Sequence, residues 1–212
     1  MDKINNFLKQ YLKLNDSGKI FTKLVKPIYK IIGWAHVLLP LFILKVIYDA
    51  ISDNYNSFSI ALEFFRDDHK VILAFVLLLL FVVSCIAAYL AIKFWYDRAE
   101  RLDVLIHNQS EFCVLPIVVT FVRNAGESIA LMIAVLGVGY CISTALGLVF
   151  LSFTETDYIG KILLTALIML IGGTIGSVIV AYVTLIFHRF LSESIGLMVS
   201  VASNVSRIAN KN

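Results

Sequence analysis

The sequence predicts an all-α membrane protein, a four-transmembrane-helix bundle with amphipathic helices on its cytoplasmic face. Three observations lead there: long uncharged apolar runs, a lopsided distribution of lysine and arginine, and helical apolar periodicity between the runs. The 212 residues are 59% hydrophobic and 16% charged, against about 45–50% and about 25% in soluble domains.

About 20 apolar residues cross a hydrocarbon core about 30 Å thick. No charged residue occurs at 71–92, 128–154 or 162–187, runs of 22, 27 and 26 residues. These hold the second, third and fourth spans. The first apolar run, 31–44, is only 14 residues long. It reaches spanning length by continuing to Tyr48, with the Lys45 ammonium snorkelling outward on its four-carbon stem. The expected spans are therefore 31–48, 71–92, 128–153 and 162–187. Residues 1–30 form a basic cytoplasmic region ahead of this 31–187 transmembrane domain, and 188–212 a cytoplasmic amphipathic helix after it. The first 30 residues are charged and no small-residue cleavage site follows the first run, so the first span is expected to act as an uncleaved signal-anchor.

Basic residues are retained on the cytoplasmic side. Fourteen of the 18 lysines and arginines lie before the first span, around the second-to-third connection, or after the fourth. The opposite side holds Lys45, Arg66, Lys70 and Lys161. A multi-pass protein of the cell (inner or plasma) membrane with both termini cytoplasmic follows. The net charge of +3 is a topogenic signal and gives no reason to expect nucleic acid. Tyr29, Trp34, Trp95 and Tyr96 are expected at the inner interface and Tyr48 and Tyr158 at the outer one, the depth amphipathic rings prefer.

Outside the spans, Ile4, Phe7, Leu8, Tyr11 and Leu12 share one helix face. Asp16-Ser17-Gly18 breaks that helix. Ile20, Leu24 and Ile28 then make a second face, with Lys19, Lys23, Lys26 and Lys30 around it. Such basic amphipathic helices lie against anionic lipid. The outer connection, 51–70, is acidic (Asp53, Glu63, Asp67, Asp68) and repeats Phe58, Leu62 and Phe65 at helical spacing, a short interfacial helix. In the inner connection, Trp95, Leu102 and Ile106 carry the second span onward as an amphipathic helix. Residues 112–122, with Pro116, are too short to span and form an interfacial helix or a re-entrant segment. Leu191, Ile195, Met198, Ala202, Val205 and Ala209 make a short heptad seam, for helix association or for packing on the membrane or the inner connection.

Ionisable groups within spans are functional candidates. Arg123 and Glu127, four apart on one helix face with Gly126 between them, and His36, four residues before Pro40, are the candidate pore or gate residues. An intrahelical ion pair and a hydrogen-bonded neutral histidine are the plainer alternatives. Gly139, Ser143 and Gly147 on the third span mark helix-packing faces, as do Gly172, Gly173, Gly176 and Ser177 on the fourth. The two registers on the fourth span allow contacts to the third span and to a further helix or a second subunit. Cys85, Cys113 and Cys141 are far apart and read as small apolar residues. No nucleophile elbow, phosphate loop, or His/Cys/Glu metal motif is present in the sequence. No cofactor or enzyme activity is expected.

The resulting functional expectation is a non-enzymatic, oligomeric subunit of a pore-forming or transport assembly. Its expected partners are the bilayer, anionic lipid at the N-terminal helices, and copies of itself or another membrane protein. The alternative is a scaffold, regulatory or immunity-type membrane protein that binds partners through its cytoplasmic amphipathic helices.

Overall fold

The computed structural model describes residues 19–51, 70–107, 114–154 and 158–209. Among these residues the chain is helical almost throughout and has no strand. The order is α1 (Lys19–Ala35), α2 (Leu38–Ile51), α3 (Lys70–His107), α4 (Val114–Thr154), α5 (Ile159–Ile168), a π-helical turn (Met169–Gly173) and α6 (Thr174–Ala209). Four helical stretches are long and apolar enough to cross a membrane: Lys23–Asp49, Val71–Leu102, Ile117–Phe153 and Ile159–Met198. They turn large apolar side chains outward, among them Phe42, Val82, Leu164 and Ile179. A soluble protein does not expose such continuous apolar surface, and the chain is a multi-pass membrane protein. The residue 4–12 stretch, the Asp16-Ser17-Gly18 break and the outer connection with Phe58, Leu62 and Phe65 lie outside the described residues.

Proline accounts for the form of the first span, which is two helices. Pro40 has no N–H for the carbonyl of His36, and its ring crowds that carbonyl. The helix breaks at His36 and Val37, and the His36 carbonyl instead accepts the Leu39 N–H at 3.2 Å. The other helices run further than their apolar runs. At about 1.5 Å per residue, the 38 residues of α3 and the 41 of α4 exceed the hydrocarbon thickness. The expected amphipathic continuation of the second span is the second part of α3. From Val114 onward the 112–122 segment is neither re-entrant nor a separate helix, but the opening turns of α4. Pro116 sits in the first turn, where a helix needs no N–H donor. The expected boundary at residue 187 falls inside α6, so the C-terminal helix continues the fourth span.

The chain forms two compact units. One comprises Ala35–Ala91 and Ala130–Val183. Its core gathers Ala145, Leu148, Leu151 and Ala166, with Ile72 and Ile162 against them, and Phe75 meets Phe150 edge-on at 5.1 Å. Small residues set the helix contacts here, differently for each stripe. Gly139 lies against Val83 and Gly147 against Val76, so the Gly139–Ser143–Gly147 stripe seats α3. The fourth span meets α4 through a different register, Gly137 on Ser177 and Cys141 on Gly173. Gly172 and Gly176 face open space. Just past the π turn, the Ser177 hydroxyl donates to the Gly173 carbonyl at 2.8 Å, a bond back to the residue four positions earlier.

Candidate functional site

The other unit comprises Met1–Trp34, Ile92–Ile129 and Thr184–Asn212. Its core is aromatic: Tyr29, Trp95, Ala99 and Leu102 are buried, with Val25, Ile32, Phe94 and Phe121 packed around them. Tyr29 meets Trp95 edge-on at 5.0 Å and 87°. The Trp95 indole donates to the Ser128 hydroxyl at 3.0 Å, and the Asn124 amide to the Tyr29 hydroxyl at 3.4 Å. A buried Tyr or Trp must satisfy its polar edge in this way. These two rings were expected as interfacial anchors and are instead the core of the unit. Trp34 does stay exposed, and its indole donates to the Tyr96 hydroxyl at 3.0 Å. Gly33 permits the close approach of α1 to α3, because a Cβ there would lie 3.2 Å from the Trp95 Cβ. The Val25, Tyr29 and Ile32 face of α1 packs inward, and the expected Leu24 and Ile28 face is exposed.

The aromatic core holds α3 and α4 together beside one carboxylate, and α6 also reaches it. Glu127 on α4 is nearly buried, 11% exposed. Arg98 of α3 donates from Nη2 to its Oε2 at 2.5 Å, and Arg123 of α4 from Nε to its Oε1 at 3.1 Å. Arg189 of α6 brings Nη2 to 3.6 Å from Oε1. The Arg98 guanidinium also lies over the Phe94 ring, 5.1 Å from its centroid. The i, i+4 pair foreseen from the sequence is thus one arm of a three-helix ionic cluster. Gly126 allows α6 to close on α4, since any Cβ there would overlap His188. His188 is held by its Nδ1 at 2.9 Å from the Thr184 carbonyl.

Beside the cluster opens a cavity of about 580 Å³, lined by Arg98, Arg101, Arg123, Arg189, Glu193 and Gly196, with Val119, Thr120, Asn124 and Ser192 completing its wall. A carboxylate pinned by several guanidiniums holds their planes fixed and leaves most of their N–H donors for something else. The arrangement can therefore bind an anion. His36 is not part of it: it stands at the turn between α1 and α2, in the unit with Ala35–Ala91. Among the described residues no three His, Cys, Asp or Glu side chains converge in a way that would hold a metal ion. Arg98, Arg101 and Arg189 carried no signal in the sequence beyond their charge. No family model, curated protein or solved structure matches the chain.

Proposed function

We propose that this chain is a non-enzymatic subunit of a membrane pore or transport assembly, and that its basic cavity receives the anion on the cytoplasmic side. The observation that supports this reading is the convergence of Arg98, Arg123 and Arg189, from three span-bearing helices, on Glu127 at a cavity wall. Fixed guanidiniums beside low-dielectric surface concentrate anions. Copies of the chain associate through the open Gly172 and Gly176 face of the fourth span in this proposal. The test is conductance or flux of the purified protein in liposomes. Anion selectivity that falls in Arg101→Gln supports the reading, and absence of flux for every ion tried refutes it.

A second reading, recruitment of a protein partner, is favoured by one observation. Leu197, Met198, Val201, Val205 and Ile208 are exposed along the last turns of α6, and Met198 and Val205 among them belong to the expected heptad seam. Crosslinking from these positions in intact membranes tests it. Crosslinks to lipid alone count against it.

A further inference from the structure

We propose that the cavity lined by Arg98, Arg101, Arg123 and Arg189 is a binding site for a phosphate-bearing group. This rests on reading the cavity as the anion site, and adds the class of anion. Four guanidiniums line the wall. The carboxylates beside them are Glu193 in the wall and Glu127 behind it, which leaves two positive charges in surplus. A phosphomonoester carries about −1.5 to −2 at neutral pH and matches that surplus. A carboxylate or a halide matches only part of it.

Geometry points the same way. The planar guanidinium fork meets phosphate oxygens with two parallel hydrogen bonds. Arg98 is already oriented from two sides, by Glu127 and by the Phe94 ring, so little side-chain freedom is lost on binding. Arg101 is not one of the three arginines that hold Glu127 and is exposed at the cavity. A volume of about 580 Å³ exceeds what bare phosphate fills and falls in the range of small-molecule sites, about 300–1,000 Å³. The phosphate group therefore enters attached to something larger. Two sources offer that chemistry at the end of a membrane span: an anionic lipid headgroup and a soluble phosphate ester.

The experiment is calorimetric titration of the purified full chain with two probes. Phenyl phosphate in detergent represents the soluble source. Phosphatidic acid in phosphatidylcholine nanodiscs represents the lipid source. Saturable binding of either probe is expected, weakened at least tenfold in Arg101→Gln and unchanged in Lys161→Gln, which removes a cation from the other unit. Gly196 lines the cavity and a Cβ there meets no atom within 4 Å. Gly196→Leu therefore keeps the protein folded and blocks binding. Whichever probe binds identifies the source. No saturable binding of either probe overturns the proposal, as does equal weakening by Arg101→Gln and Lys161→Gln. Binding without ion flux refutes only the transport reading. Flux without binding refutes only this one.

Discussion

The three arginines on Glu127 are not equivalent, and double-mutant cycles should rank them. Truncating one partner of a buried ion pair costs about 3–5 kcal/mol, whereas exposed pairs are worth about 0–1 kcal/mol. Glu127 is 11% exposed, and its partners Arg98, Arg123 and Arg189 are 27%, 53% and 51% exposed. Arg98 therefore falls between the two limits, with the shortest contact and a ring beneath it. Its coupling to Glu127 should be about 1–2 kcal/mol. Arg123 contacts Glu127 along one helix and Arg189 stands at 3.6 Å, and each should couple by less than about 1 kcal/mol. Glu127→Gln, which keeps the shape and removes the charge, should cost about 2–3 kcal/mol in total, because three cations then share no counter-charge. The assay is unfolding in detergent of the single and paired Gln variants. A coupling at Arg123 or Arg189 as large as that at Arg98 would refute the ranking by burial, and no coupling anywhere would refute the cluster.

Gly126→Ala should destabilise by about 1–3 kcal/mol through overpacking. The overlap reaches the His188 Cβ itself, so unfolding experiments should show rescue by His188→Gly and none by His188→Ala. Gly173→Leu should lower thermal stability by a similar amount, since even a Cβ would lie 2.5 Å from the Cys141 sulfur; Gly176→Leu, with nothing within 4 Å, should leave the monomer's melting temperature unchanged and, in the oligomer proposed above, reduce crosslinking between copies. In a cysteine-free background, a cysteine at Tyr158 should label from outside the cell and one at Asn204 should not, both positions being exposed. External labelling at residue 204 would overturn the cytoplasmic placement expected for the C-terminus from its lysines and arginines.

The apolar stretches were readable because a bilayer makes one simple demand, a long run without charge. Arg123 with Glu127 was readable because i, i+4 proximity is local. Arg98 lies 29 residues from Glu127, and only tertiary packing brings it there. In composition, Arg98 and Arg189 were indistinguishable from topogenic charge. Tyr29 and Trp95 were placed at the interface because a belt aromatic and a buried, hydrogen-bonded aromatic have the same sequence signature. The α4 face that meets the fourth span was missed for a geometric reason. Gly137 and Cys141 sit two residues out of phase with the more regular Gly139, Ser143 and Gly147 stripe, which turned out to serve α3. Pro40 marked a distortion correctly, and it became a break because Pro40 has no N–H for the His36 carbonyl, which takes the Leu39 N–H instead.

The wide turn at Met169–Gly173 has a consequence for how the chain tolerates changes in length. A π turn is an α-helix with one residue more than the turn requires. Anywhere else in the fourth span, removing a residue rotates everything beyond it by about 100°, given 3.6 residues per turn. Such a loss would swing Ser177 away from Gly137. Removing one residue within the wide turn, Met169–Gly173, lets it relax to an ordinary α turn while Ala166 and Ser177 keep their common face toward α4. The gene can thus shed a codon here and preserve the helix contact, and any cousin of this chain that is one residue shorter in its fourth span should have lost that residue at this place.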